Sequence, residues 1–351
     1  MLSLHNVTEE TKLAFKWSII GIATIILLLL LFRIGRNIKE HFYPTPPPAP
    51  TVLFGKLPVI AFPQNATNQK LTYVLDTVSG DLPAFPDRAT VYPIQQPTPS
   101  FLNLQRAQQK AGNVNFLGQG SALSQTQYAW YEQQTPFRKL IMDIVSFNFS
   151  LTSDFLTNTT LLQNATAPLA NDAITTATNF LNRLSLLPSD IDTTKTTTQI
   201  FSITNQQLVK ATSKSLAQVT QVNFFQNDIE KLPIYYANPP GSSMSFLVTN
   251  TGNENQVLAT TFTHFSIDST KSSTYPIKSA SKAFEELKAG KAYIATTPGT
   301  QTTVHIKNVL LGYYLGDTPQ EYLLPIIIFQ GDNFFAYVPA ITNPWLSSPS
   351  R

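Results

Sequence analysis

The sequence predicts an α+β protein, with one N-terminal transmembrane helix followed by a two-lobed ectodomain of short helices packed on antiparallel sheets. Three observations predict it. Leu13 to Phe32 is a run of twenty residues, apolar except for Lys16, Ser18 and Thr24, and a helix of that length spans about 30 Å, the thickness of a bilayer's hydrocarbon core. Farther on, alternating apolar stretches are broken by Pro, Gly and Asn clusters, as antiparallel strands are. Two segments, around 170–184 and 279–288, instead carry apolar residues at helical spacing.

The predicted organisation is a short cytoplasmic tail (1–12), a transmembrane signal anchor (13–32), a juxtamembrane and Pro-rich linker (33–55), a first α+β lobe (56–165), a second α+β lobe (166–342) and a tail (343–351). Arg33-Ile34-Gly35-Arg36 follows the apolar run where a removable signal peptide would carry small residues, so the run reads as an uncleaved anchor. Lys12 and Lys16 at its N-terminal end and Arg33, Arg36 and Lys39 after it leave the charge count slightly in favour of a cytoplasmic C-terminus. Long domains translocate largely regardless of that count, and the expectation is a single-pass protein with its C-terminal domain extracytoplasmic. Pro44-Thr45-Pro46-Pro47-Pro48-Ala49-Pro50 reads as a stiff polyproline spacer.

Composition narrows the function classes. Charged residues make up 13% of the 351 and apolar residues 42%, enough to build a core with a neutral, Thr- and Asn-rich surface. Two of the three net positive charges belong to the segment around the apolar run, so no basic stripe remains for nucleic acid. The absence of Cys excludes disulfides, thiolate metal sites and cysteine nucleophiles. Asn-x-Ser/Thr triplets such as those at Asn65, Asn148, Asn158 and Asn164 are what a chain rich in Asn and Thr produces by chance.

In chain order, Leu71–Leu75 and Thr90–Ile94 alternate as strands, and Phe101–Ala111 reads as a helix closed by Gly112. Gln127–Glu132 and Arg138–Leu151 read as a hairpin turning at Thr135-Pro136. Ala170, Ala173, Ile174, Ala177, Leu181 and Leu184 mark the clearest helix, ended by Leu187-Pro188. Gln218–Phe225, Met244–Thr249 and Thr260–Ile267 read as strands between turn clusters. Ser279–Lys288 is an amphipathic helix stopped by Gly290. Strands follow at Val304–Tyr314, Tyr322–Phe329 and Phe334–Ile341.

A spaced series runs from Asn223-Phe224-Phe225 and Leu232-Pro233-Ile234 through Ser281 to Gly290, then Val309-Leu310-Leu311-Gly312-Tyr313-Tyr314 and Leu324-Pro325-Ile326. It resembles the YycI-type and PepSY-like extracytoplasmic regulatory domains over residues 216–342, with Ile326 where those carry an aromatic. The whole chain is similar to single-span bacterial membrane proteins. The resemblance implies regulation of a membrane kinase, peptidase or envelope protein, and it carries over no functional residue.

Chemistry is sparse. His264 and His305 stand in strand-like runs without an acid or second His at ligand spacing. Asp190 and Asp192 straddle Ile191 and are two carboxylates short of further oxygen ligands for a cation. Glu285-Glu286 points two ways from one helix. No catalytic, cofactor or metal residue is expected. Tyr128, Trp130 and Tyr131, alternating with polar neighbours, are the candidate partner surface. The expected function is therefore a single-pass, membrane-anchored binding or regulatory protein that works through protein or peptide contacts, touching the lipid bilayer through residues 13–32. The alternatives are a structural surface protein and a cell-wall hydrolase.

Overall fold

The computed structural model describes residues 16–17, 21–22, 24–34 and 48–347, apart from 68, 133–136, 253 and 298. Residues 1–49 and 50–351 form two compact units. In the first, the continuous described helix covers 24–34 (α1). Among the described residues no helix is long and apolar enough to cross a membrane. This corrects the expected transmembrane anchor at Leu13–Phe32, and with it the single-pass membrane localisation and the extracytoplasmic placing that rested on it. Hydropathy counts apolar letters, whereas a span needs about twenty consecutive residues in one helix. Residues 13–15, 18–20 and 23 of that run, and residues 35–47 of the expected linker, lie outside the described residues.

The second unit is α+β and mostly sheet. It begins with β1 (Thr72–Leu75) and β2 (Arg88–Pro93), followed by α2 (Asn103–Gly112). Then come β3 (Ser121–Ala122), β4 (Gln127–Glu132), β5 (Arg138–Asp143) and β6 (Phe149–Ser153). The run read as one strand from Arg138 to Leu151 is two. Asp143 Oδ1 accepts from Val145 N, Ser146 N and Ser146 Oγ at 3.0, 2.8 and 3.0 Å, an Asx turn that reverses the chain, and Phe147 takes φ 58° to complete it. Next are α3 (Thr159–Asn164), β7 (Ala165–Thr166), α4 (Ala170–Leu184), β8 (Thr197–Thr204), β9 (Gln207–Lys210) and β10 (Val219–Phe224). After β11 (Ile234–Tyr235), β12 (Met244–Thr251) and β13 (Glu254–Phe262) come β14 (Ser273–Pro276) and α5 (Ala280–Lys288). The chain closes with β15 (Tyr293–Thr296), β16 (Thr303–Ile306), β17 (Asn308–Tyr314), β18 (Tyr322–Gly331) and β19 (Phe334–Pro339).

A ten-stranded sheet has the order β3-β4-β5-β6-β13-β12-β10-β8-β9, with β7 also paired to β12. Leu151 pairs with Thr260, so this sheet runs across residue 165, where the two lobes were expected to divide. A seven-stranded sheet, β11-β17-β18-β19-β15, takes in β2 and β14 through β18. Its core lies under α5, whose Ala280, Ala283 and Leu287 are buried against Ile327, Phe329 and Val338.

The ten-stranded sheet positions the site. On its inner face Trp130, Leu140, Met142, Phe149, Phe224 and Phe246 meet Ala173, Ala177, Phe180, Leu181 and Leu184 of α4, the row that the helical periodicity marked. α4 ends because Ser185 turns left-handed at φ 52°. Lys110 of α2 donates its ammonium to the carbonyls of Leu184 (2.8 Å) and Ser185 (3.1 Å), satisfying the helix's last acceptors with a cation where the dipole favours one. Asn113 Nδ2 donates to the carbonyl of Arg183 at 3.0 Å. The ends of α2 and α4 are thereby tied together.

A candidate binding cleft

Side chains alternate across a strand, so Tyr128, Trp130 and Glu132 share one face of β4 while Ala129 and Tyr131 share the other. Across the hairpin Trp130 pairs with Leu140 and Glu132 with Arg138. The inner row is therefore apolar until its last pair, where the core runs out and an ion pair takes over. Arg138 donates from both Nε and Nη2 to Glu132 Oε2, and its guanidinium lies 5.3 Å from the ring centroid of Phe116. Both side chains are mostly buried, at 13% and 15% exposure. Such a pair is held in one geometry by packing on both sides.

This ion pair forms one wall of a cleft of about 460 Å³, a size typical of small-ligand sites. The last two turns of α4 form a second wall with Thr176, Asn179 and Arg183, and the start of β13 a third with Glu254, Asn255 and Gln256. Asn115, at the lip, takes φ 75°, a left-handed conformation that Asn tolerates better than most residues.

The lining is amide-rich, and part of its hydrogen-bonding capacity is already used. Asn255 Oδ1 accepts from Asn250 Nδ2 at 2.7 Å, and Gln256 Nε2 donates to Thr251 Oγ1 at 2.9 Å. Asn115 Oδ1 accepts from Arg183 at 3.5 Å. Among the described residues this leaves the whole amide of Asn179, the Nδ2 groups of Asn115 and Asn255 and the Oε1 of Gln256 for something else. Each amide can both donate and accept.

The structure separates the three aromatics expected to form one partner surface. Trp130 is 1% exposed and belongs to the core. Tyr128 is half-buried beside it, ring centroids 6.3 Å apart. Tyr131 is 43% exposed on the outer face with Phe137 at 45%, 6.3 Å between centroids, and Lys139 Nζ stands 5.7 Å from the Tyr131 ring. The cleft residues were missed by sequence reasoning. Glu132 and Arg138 could have been found, as opposite charges flanking Thr135-Pro136 in a charge-poor chain. Arg183 and Glu254 come from distant segments and leave no such signal.

A second polar cluster lies at the loop after α4. His264 Nε2 and Asp190 Oδ1 are 2.8 Å apart, and Gln226 Nε2 donates to Asp190 Oδ2 at 2.8 Å. Burial opposes the Asp190 charge, and the hydrogen bond and charge of His264, with the bond from Gln226, outweigh it and hold the carboxyl below the usual range. Asp192 turns elsewhere, to Thr194 and Lys195, so the two aspartates do not converge on one cation. Glu285 and Glu286 likewise go to different lysines, Lys288 and Lys278. Among the described residues no group of three or more His, Asp or Glu could hold a metal ion.

No family model matches the sequence, and no curated protein matches it. The chain is similar to the crystal structure of an uncharacterised protein from Eubacterium rectale ATCC 33656. The two are 12% identical with a TM-score of 0.34, over 80% of this chain and 92% of that one.

Proposed function

We propose that this protein binds polypeptide segments by contact, without carrying out chemistry on them. The observation that supports this reading is the set of amide groups left open around the cleft: the whole amide of Asn179, the Nδ2 groups of Asn115 and Asn255, and the Oε1 of Gln256. A peptide group presents one donor and one acceptor; Asn179 can answer both at once, the Nδ2 groups of Asn115 and Asn255 the acceptor, and Gln256 Oε1 the donor. Asn255 and Gln256 are half-buried and already hydrogen-bonded at one end, which holds them in place and lowers the ordering cost of binding. Tyr131 and Phe137, on the other face of the same hairpin, offer aromatic surface for apolar side chains of a larger partner. The regulatory role implied by the resemblance of residues 216–342 belongs to the same reading.

The test is selection of random peptides on the full chain, compared with an Asn179→Ala, Asn255→Ala double variant. Two neutral hydrogen bonds at roughly 1 kcal/mol each correspond to a loss of about tenfold or more in affinity. Enrichment that survives the double variant unchanged, or no enrichment at all, overturns the proposal.

A further inference from the structure

Two charged side chains of the cleft have opposite signs and no oppositely charged partner among the described residues. Arg183, in the last turn of α4, donates from Nε to the carbonyl of Asn113 at 2.9 Å and from Nη2 to Asn115 Oδ1 at 3.5 Å. Both acceptors are neutral, so the guanidinium brings a full positive charge to the cleft wall. Glu254, the first residue of β13, is exposed on the same cleft, and its carboxylate makes no hydrogen bond or ion pair among the described residues. The other two charges, Glu132 and Arg138, neutralise one another. A ligand therefore meets one cation, one anion and neutral amides.

We infer that the cleft recognises a short peptide by its two free ends, the terminal carboxylate at Arg183 and the terminal ammonium at Glu254. The inference rests on the peptide-binding reading above and deepens it. A guanidinium presents paired N–H groups that match a carboxylate. An ammonium carries three donors and no acceptor, and a carboxylate satisfies it. The interior of a long chain offers neither charge, so this arrangement favours free ends over internal segments. Arg183 is also pre-oriented by the Asn113 carbonyl and by Asn115 in its left-handed turn, so less side-chain freedom is lost on binding.

The experiment incubates the full chain with an equimolar pool of tripeptides that have free termini, with the same pool N-acetylated, and with the same pool C-amidated. Bound peptide is counted by mass spectrometry. A hydrogen bond to a charged group corresponds to roughly tenfold to a hundredfold in affinity, so each blocking group should lower binding by at least about tenfold. Glu254→Gln should erase the preference for free over acetylated peptides while keeping that for free over amidated ones, and Arg183→Gln should do the converse. Arg183→Lys, which keeps the charge, should retain part of the carboxylate preference. Equal binding of all three pools overturns end recognition and leaves peptide binding standing. Capture of longer peptides but of no tripeptide pool does the same. Failure of every peptide to bind removes both readings.

Discussion

Gly120 lies flat against the indole of Trp130. A β-carbon on Gly120 would come within 2.7 Å of Trp130 Cε2 and Cζ2 and 3.0 Å of Nε1. The ring cannot step aside, because it is packed between Leu140, Phe116 and α4 in the core of the ten-stranded sheet. Gly120→Ala should therefore cost about 1 to 3 kcal/mol, the range for overpacking a filled interior. Chemical denaturation followed by tryptophan fluorescence measures it, and an unchanged midpoint with unchanged emission would show that the loop over Trp130 yields freely.

The ion pair that ends the Trp130 row makes a second prediction. Glu132 and Arg138 are more buried than a surface pair, worth about 0 to 1 kcal/mol, and less than a sealed one, where removing one partner costs about 3 to 5 kcal/mol. Glu132→Gln should cost about 2 kcal/mol, because it leaves the guanidinium half-buried against Phe116 without its counter-charge. Adding Arg138→Met should recover part of that loss. A double-mutant cycle by urea denaturation reads the coupling, and strictly additive losses would mean that solvent compensates each charge separately.

The legible part of this fold is the part set by local periodicity. Ala173, Ala177, Leu181 and Leu184 repeat as a helix must to bury one stripe, and α4 buries those residues. The β4–β5 hairpin was visible because its strands are neighbours in the chain. Pairings between distant segments were not: β6 meets β13 through Leu151 and Thr260, and nothing local to Leu151 names its partner. The Thr-rich strand at Thr197–Thr204 does not alternate, because its inner six residues are half-buried on both faces. The cleft divides in the same way. The cross-strand opposition of Glu132 and Arg138 follows from the hairpin, whereas Glu254 reaches the cleft through a register that shifts between Leu247 and Val248. Asp190 and His264 meet across 74 positions, a contact that ligand spacing could not anticipate.

That contact predicts an acid-sensitive contribution to stability. The folded-state carboxyl of Asp190 is held below its ordinary value, so its contribution is fully present above the unfolded value of about 3.9 and is lost as pH falls through the lower folded one. The side chain is 35% exposed, and solvent screening limits the contribution to about 1 kcal/mol. Asp190→Asn should lower stability by about that much at pH 7, and the gap to the wild type should close as the pH is taken below about 4. Urea denaturation of both proteins at stepped pH measures it. A gap that persists undiminished at pH 3 would assign the loss to geometry instead of charge.

The two faces of the β4–β5 hairpin separate binding from packing. Asn179 is exposed at the cleft, and among the described residues its amide makes no hydrogen bond, so Asn179→Ala on the surface of α4 should leave stability within about 0.5 kcal/mol of the wild type, the usual range for a surface change. If the cleft holds the peptide, the same substitution should weaken capture by roughly fivefold to tenfold, one hydrogen bond's worth. Tyr131→Ala acts in the opposite sense. It removes an aromatic that packs with Phe137 and lies under the Lys139 ammonium, which should cost about 0.5 to 1 kcal/mol in stability, while capture of a tripeptide stays within about twofold because the ring points away from the cleft. Calorimetric unfolding and peptide capture, measured on both variants, place them on two axes. A Tyr131→Ala protein that is as stable as the wild type but has lost capture would move the contact surface from the cleft to the outer aromatic face.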